Sequence, residues 1–360
     1  MKICLLGNIN SVHLQRWASQ LNKKGHKIDV ISFEKTSPLE NITIHHIKRK
    51  IPTKLDYIFN ISSIKKLIHS IKPDVVHAHY LTSYGFIAAC TGFRPLVVSA
   101  WGSDVLISPQ KNLLLKFFVR FTIKKACLIH SLANFVEKNL IDLGAKPNQI
   151  VVLPFGIDKS LMEQIGSKSF KEPTSLIIIS TRSLDYIYNV ELLIKSLPYI
   201  IKKYNTLECL IIGDGGQRKK LEKLSRSLGV KNNVNFLGNL PHNQLLEQLK
   251  RADIFISTSF SDMNNVSLNE AMACGLFPIC TDIPANREWI KDEINGFLVP
   301  TNSSFILAKK IIEAYENKQL INDAKKTNLK IIRERAILDD NISKMEKFYE
   351  KVISLYKTTC

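Results

Sequence analysis

Asp253-Ile254-Phe255-Ile256-Ser257-Thr258-Ser259-Phe260-Ser261-Asp262-Met263-Asn264-Asn265-Val266-Ser267-Leu268-Asn269-Glu270-Ala271-Met272-Ala273-Cys274-Gly275 is the stretch that decides the organisation of this chain. Ile254, Phe255 and Ile256 make an apolar run of strand length, residues 257–265 are a polar loop, and residues 266–274 favour a helix that stops at Gly275. In a parallel sheet such a loop lies at the carboxyl end of the strand, where ligands bind, and the helix start offers free backbone N–H groups to an anion. Asp262 and Glu270 bracket that start with seven residues between them. A carboxylate does not help a helix bind phosphate, so both are read as accepting hydrogen bonds from hydroxyls of the same ligand. Phosphates together with hydroxyls point to a nucleotide sugar.

The same alternation runs outward on both sides. Strands are expected at 175–180, 209–213, 234–237, 253–257, 278–281 and 297–299, with helices at 190–203, 217–228, 243–251, 266–274, 284–291 and 303–316. Before it, strands are expected at 1–7, 28–33, 43–47, 74–78, 95–99, 127–130 and 150–153, with helices at 12–24, 60–71, 83–91, 111–125 and 132–143. Alternating strands and helices predict parallel sheets covered on both faces. The pattern loosens over 154–173, which places a boundary there between an amino-terminal domain of residues 1–160 and a second α/β domain of residues 161–336. Residues 319–357 read as helix, and Ile342, Met345, Phe348, Val352 and Tyr356 give the last helix, within a segment 337–360, an apolar face that needs a partner. The opening strand lacks a Gly-x-Gly-x-x-Gly fingerprint, since only Gly7 is present, which weakens a nicotinamide reading.

A chain of 360 residues is long for one core, and 45% hydrophobic with 23% charged residues describes a folded protein. No apolar run reaches the roughly 18–20 residues of a membrane span, and no signal-peptide pattern opens the chain, so a cytoplasmic protein is expected. Seven scattered cysteines without a Cys-x-x-Cys pair are read as reduced and mostly buried. The net charge is +18, and it is uneven: residues 1–170 hold 23 basic against 10 acidic residues, residues 171–360 hold 27 against 22. Such a field favours an anionic partner: nucleic acid, a membrane surface or a phosphorylated substrate.

Further pieces join the central stretch in a fixed order: Phe155-Gly156-Ile157-Asp158, Gly213-Asp214-Gly215 with Leu221, Phe236-Leu237-Gly238, Ala252-Asp253, then Asp262-x7-Glu270 running into Glu270-Ala271-Met272-Ala273-Cys274-Gly275, and Asn295-Gly296-Phe297-Leu298-Val299. With these, nearly the whole chain resembles the GT-B glycosyltransferases of family GT4, retaining enzymes that use nucleotide-sugar donors. The resemblance implies an α/β fold of two Rossmann-like domains facing across a cleft, with the C-terminal helix packing back on the N-terminal domain.

Carried over by residue, the resemblance implies that Glu270 holds the donor ribose and that Asp262 holds hydroxyls of the transferred sugar. Residues Met263, Asn264, Asn265 and Val266 would bring the helix start to the diphosphate. Arg182, just after the first strand of the second domain, stands where the family binds diphosphate, a task suited to a permanently charged, forked donor. The Lys that the family carries about half a dozen residues later is absent; Tyr188-Asn189 stands there, with Arg218 or Lys219 as candidate replacements and Asn189 and Gly213 beside the donor. In the first domain Trp101-Gly102-Ser103-Asp104 matches a position where many relatives carry His before Gly. A retaining front-face mechanism, in which the donor phosphate takes the acceptor proton, needs no enzyme base there.

Asp104 is then a candidate partner of the acceptor hydroxyl, counted with Asp262 and Glu270 as catalytic, and Ser11, His13, His79 and Trp101 are the other acceptor-binding candidates. His77 and His79 share one strand face, and His13 is placed to touch acceptor or donor. No metal or cofactor is expected, only a UDP- or GDP-linked sugar as donor and a cell-envelope glycan or lipid-linked acceptor. Residues 112–126 mix large apolar and basic residues with no acid. They are read either as a membrane-interface helix, which would put the protein on the inner face of the cell membrane, or as a core helix whose Lys side chains reach water. Three alternatives remain: a sugar-nucleotide epimerase of the same architecture, a nucleic-acid-binding protein, for which no recognition motif is present, and a catalytically dead scaffold, to which the missing Lys points.

Overall fold

A computed structural model of the chain describes residues 1–49, 56–163 and 176–357. The expectations for residues 164–173, for Ser175 and for Cys360 lie outside these. The chain divides into two compact units, Met1–Phe155 with Asp339–Cys360, and Gly156–Leu338.

In the first unit β1 (Lys2–Leu6), β2 (Lys27–Ser32), β3 (Ile42–His46), β4 (Val75–His79), β5 (Leu96–Ser99), β6 (Leu128–Ser131) and β7 (Ile150–Val152) form one sheet in the order β3-β2-β1-β4-β5-β6-β7. Every neighbouring pair is parallel. β4 and β5 are buried along their whole length, as the near-continuous apolar runs of strands covered on both faces require. The helix Val12–Lys23 turns Leu14, Trp17, Ala18 and Leu21 inward at helical spacing, and Gly25, in the left-handed region, lets the chain turn back into β2. The last helix, Leu338–Lys357, belongs to this unit through its packing. Ile342, Met345, Tyr349 and Val352 are buried, each such side chain contributing about 1.5–3 kcal/mol by leaving water. Glu346 meets His26 at 2.6 Å and Asn341 donates to the Pro154 carbonyl at 2.9 Å. Tyr349, rather than the expected Phe348 or Tyr356, is the deeply buried aromatic.

In the second unit β8 (Ile177–Ser180), β9 (Glu208–Ile212), β10 (Val234–Gly238), β11 (Ile254–Ser257), β12 (Phe277–Thr281) and β13 (Phe297–Val299) lie in the order β10-β9-β8-β11-β12-β13. All neighbours are again parallel. Ile178, Ile211, Ile256, Phe277 and Phe297 of the sheet pack with Leu193 and Leu197 of helix Val190–Ile201 and Leu307 and Ile311 of helix Ser304–Glu316.

Three helical expectations are corrected. The one over 284–291 ends at Arg287: Asn295 accepts from the Lys291 amide at 2.7 Å and donates to the Trp289 carbonyl at 2.9 Å, drawing the chain into a loop. The one over 132–143 is a single turn at Asn134–Val136 followed by Glu137–Asp142, because the Ser131 hydroxyl donates to the Ala133 carbonyl and Ala133 stays extended. The one over 111–125 begins after Asn112, whose extended backbone and side chain cap Leu113–Lys125 by accepting from Leu115 N–H at 2.8 Å. Two single turns, Ser103–Leu106 and Ser108–Lys111, precede it without a sequence signal of their own.

Each sheet reverses its order once, between β1 and β4 in the first unit and between β8 and β11 in the second. In open parallel sheets these reversals are where the loops leaving two adjacent strands part and leave a ligand crevice at the carboxyl ends.

Candidate active site

The stretch 253–275 occupies the reversal of the second sheet. β11 is wholly buried, and its following loop is tied on both sides: Thr258 Oγ1 donates to the carbonyls of Tyr188 and Asn189 at 3.1 and 2.9 Å, and Thr281 Oγ1 donates to the Ser259 carbonyl at 2.6 Å. The helix Val266–Ala273 begins with Asn265 as its cap, accepting from Leu268 N–H at 3.1 Å. Val266 N–H donates to the Asn264 carbonyl at 3.0 Å, so this part of the helix start already has a partner. Asn265 Nδ2 reaches Ser257 and Asn286, leaving its amide engaged within the protein.

Arg182 follows β8 and is 8% exposed. Its Nη1 donates to Asn265 Oδ1 at 2.7 Å, its Nη2 to Asp262 Oδ2 at 2.5 Å, and its guanidinium lies 4.4 Å over the ring of Tyr188. Sequence reading assigns Arg182 and Asp262 to different parts of a ligand; the structure makes them an ion pair. Asp262 Oδ1 also accepts from the Met263 N–H at 2.8 Å, and Met263 is buried. Gly213, at φ +133, lies against the Arg182 carbonyl oxygen so closely that any Cβ would collide with it, and the 184 and 214 backbones bond at 3.0 Å. The Gly213-Asp214-Gly215 motif thus lets the β9 loop press on the β8 loop and hold Arg182 in place.

Asn189 adopts the left-handed region at φ +47, and its amide donates to the Thr301 carbonyl at 3.0 Å, which uses the side chain for structure. Tyr188, where the family Lys is missing, supplies an aromatic face to Arg182 in place of a second charge. Of the candidate replacements, Arg218 is held by Asp214 at 3.1 Å and Glu222 at 3.0 Å, while Lys219 is exposed. Glu270 is buried on the helix that Asn265 caps. Around it the site keeps buried polar atoms without a hydrogen-bond partner: Thr181 Oγ1, Arg182 Nε and both amide atoms of Asn264 and Asn269. Thr181, Tyr188 and Asn269 are absent from the sequence-derived set. A polar Asn269 inside the apolar run Leu268, Ala271, Met272 is the signal that marks it.

At the reversal of the first sheet the residues are aromatic and neutral. His13 stacks on Phe155, with centroids 4.8 Å apart, and Trp101 meets Phe155 edge-on at 5.0 Å. Trp101 Nε1 donates to His79 Nδ1 at 3.3 Å, and His79 stacks on His77 at 4.5 Å. Ser11 precedes helix Val12–Lys23, but its side chain makes no capping bond there.

Asp104 is a correction. It is 0% exposed; Oδ1 accepts from the amides of Trp101 and Gly102 at 3.0 and 2.8 Å and Oδ2 from that of Leu81 at 2.8 Å. Burial pushes its carboxyl up to about 6 against the pull of those N–H bonds. It fixes the Trp101 loop onto the β4 loop and offers no free lone-pair face to an acceptor hydroxyl.

Behind His79 a chain of bonds crosses the core. Tyr349 meets His77 Nδ1 at 2.5 Å, His77 Nε2 meets Ser99 Oγ at 2.7 Å, Ser99 Oγ meets His130 Nδ1 at 2.8 Å, and His130 Nε2 meets the Leu153 carbonyl at 2.6 Å. The carbonyl fixes every proton: His130 donates through Nε2, Ser99 donates to His130, His77 donates through Nε2 to Ser99, and Tyr349 donates to His77. Both histidines are neutral in this arrangement, and burial lowers His130 to about 4 and His77 well below the ordinary range. Among the described residues, no group of three His, Cys, Asp or Glu gathers to hold a metal.

The chain matches two family models, "Glycosyl transferase 4-like" over residues 2–132 and "Glycosyl transferases group 1" over residues 162–330. It is 25% identical over 325 residues, 84% of this chain and 85% of the relative, to the GalNAc-alpha-(1->4)-GalNAc-alpha-(1->3)-diNAcBac-PP-undecaprenol alpha-1,4-N-acetyl-D-galactosaminyltransferase of Campylobacter jejuni. It is 21% identical over 356 residues, 93% of this chain and 91% of the relative, to the N-acetyl-alpha-D-glucosaminyl L-malate synthase of Bacillus anthracis. In fold it is similar to Anabaena Alr3699/HepE in complex with UDP, with TM-score 0.80 and 19% identity over 98% of this chain and 100% of that one. Two parallel sheets, each reversing once and each matched by its own glycosyltransferase model, make this an enzyme of hexosyltransferase type: the chain belongs to the GT4 glycosyltransferases and has the GT-B fold.

Proposed function

We propose that the protein is a retaining transferase that moves a sugar from a nucleoside-diphosphate sugar, UDP-linked in preference to GDP-linked, to a lipid-linked or glycan acceptor of the cell envelope. The observation that carries this reading is the cluster at the β8/β11 reversal: a buried guanidinium, a capped helix start and two carboxylates, surrounded by buried polar atoms that lack partners. Glu270 takes the donor ribose, Asp262 the hydroxyls of the transferred sugar, and Arg182 with Asn264 and Asn265 at the helix start the diphosphate, whose charge grows as the glycosidic bond breaks. Asn189 and Gly213 hold the loops that present Arg182. The UDP-bound neighbour supports the choice of base, and the undecaprenol-linked substrate in the Campylobacter enzyme's name supports a lipid-linked acceptor.

The retaining course is supported by the first unit, where the acceptor is taken to bind among Ser11, His13, His79 and Trp101. The Asp104 oxygens are filled and the His79 Nδ1 lone pair faces Trp101, so the donor phosphate is left to take the acceptor proton. Arg182 and the helix start face the diphosphate without a resident metal, and chelator is expected to leave turnover intact. The epimerase reading is not favoured, because both family models describe glycosyl transfer.

An anionic membrane surface is the proposed workplace, on the cytoplasmic side. Helix Leu113–Lys125 exposes Leu113 (84%), Leu114 and Phe117 beside Lys111, Arg120 and Lys124, a combination that suits lipid headgroups over apolar chains. No helix of the described residues is long and apolar enough to cross a membrane. Thermal stabilisation by UDP-, GDP- and ADP-sugars, followed by NMR assignment of the product's anomeric configuration, tests the reading. Stabilisation by UDP-sugars and retained configuration are expected; inversion, or no response to any nucleotide sugar, contradicts it.

A further inference from the structure

Every other histidine in the buried chain of the first unit has both ring nitrogens satisfied, whereas His79 has one. Its Nδ1 faces the indole N–H of Trp101 at 3.3 Å, and its Nε2 is buried with no hydrogen-bond partner. An indole nitrogen only donates, so Nδ1 must present its lone pair and, in the neutral ring, the proton sits on Nε2. The surroundings keep the ring neutral. It is 2% exposed, stacks on the equally buried His77 at 4.5 Å, and is lowered to about 3 by burial and by His130. An unpaired buried N–H is costly to maintain. This one stands at the carboxyl end of β4, beside β1, where the sheet order reverses. The ring edge that carries Cδ2, next to Nε2, lies beside Gly7: a Cβ at that position would come within 3.7 Å of His79 Cδ2 and 2.8 Å of Leu14. Glycine at position 7 keeps a side chain off this edge of the ring, since a Cβ there would already collide with Leu14.

We infer that His79 is a hydrogen-bond donor to the acceptor substrate, giving its Nε2–H to the oxygen of the reacting hydroxyl, with Trp101 as the residue that locks this tautomer. This rests on the reading of the first unit as the acceptor domain and adds a direction to it: His79 orients the hydroxyl through the lone pair it contacts and leaves the hydroxyl proton free to go elsewhere. It is not a base. The rings that face it, His77 and Trp101, contribute no charge.

Histidine 15N NMR on the full chain tests this without any substrate. The predicted spectrum shows His79 with a protonated Nε2 and a bare Nδ1, unchanged from pH 8 to pH 5, and Trp101→Phe gives a mixture of the two tautomers. A protonated Nδ1, or titration of His79 near pH 6.5, overturns the assignment. Turnover supplies the second arm, with an undecaprenyl-diphosphate-linked N-acetylhexosamine as the acceptor probe. His79→Ala raises the acceptor KM at least about tenfold, with the pH profile of kcat unmoved. His79→Gln, whose amide N–H takes the place of Nε2–H, recovers most of the loss. A His79→Ala variant with unchanged acceptor KM, or one that moves the pH profile, contradicts the proposal. Absence of transfer by the unsubstituted protein would instead count against the acceptor reading and leave the NMR result to decide on His79.

Discussion

The two sheet reversals share one topology and hold opposite chemistry. At β1/β4 most of the buried polar groups are satisfied within the protein, Tyr349, His77, Ser99 and His130 in a neutral line and the Asp104 carboxyl closed by three amides. At β8/β11 they are charged, and several have no partner: Arg182 pairs with Asp262, while Thr181, Asn264 and Asn269 keep idle donors and acceptors. Burial of unsatisfied polar atoms is unfavourable, so their concentration on one side marks where a polar, anionic ligand completes the structure. Among the described residues the other side holds fewer such atoms, His79 Nε2 and Trp17 Nε1 among them, set between aromatic rings that suit a neutral hydroxyl.

The contrast can be broken at its charged end first. Arg182→Met strands Asp262 in a largely buried position, and loss of about 4 kcal/mol in the second unit is expected in denaturant unfolding, together with loss of stabilisation by UDP. Breaking the neutral end needs only acid. His79 and His130 have folded values of about 3 and about 4, below the value of about 6.5 for a free histidine. Their contribution is complete above pH 6.5 and is lost as pH falls, by roughly 2 kcal/mol for each at pH 5. His77 shifts in the same direction. Asp104, raised to about 6, acts in the opposite sense, but it is one group against three. Unfolding of the first unit, followed by Trp17 and Trp101 fluorescence, should therefore become easier below pH 6 while UDP binding to the second unit persists.

Gly213→Ala sharpens the charged side by displacing the Arg182 carbonyl, at an expected cost of about 2 kcal/mol from the strained φ and the collision, read as a lower melting temperature with weaker UDP binding. Smallest is Tyr188→Lys, which restores the second cation. UDP should bind about tenfold more tightly by titration calorimetry, the scale of one added charge-assisted hydrogen bond. An unchanged affinity would mean that the aromatic face already does the work of the missing lysine.

Much of this arrangement is legible in sequence, since it depends on local pattern. The strand, loop and helix of 253–275, the position of Arg182 just after β8, the glycines of 213–215 and the tail helix all follow from periodicity, turn residues and charge. What sequence reading misses lies in tertiary contacts between distant residues. Asp104 reads as a reactive carboxylate until the amides of Leu81, Trp101 and Gly102 are seen around it. Tyr188 reads as a lost lysine until its ring is found under Arg182, and the helix after Pro284 shortens because Asn295 reaches back to Trp289. Arg182 and Asp262 are 80 residues apart in sequence, and no local signal announces their pairing.

Glu270 is the proposed ligand of the nucleotide-sugar ribose in the second unit. Titration of UDP-sugar into Glu270→Ala and the unsubstituted protein tests it most directly. About 30-fold weaker binding is expected in the variant, from the loss of charge-assisted hydrogen bonds to the ribose. Equal affinity, with transfer intact, would contradict it.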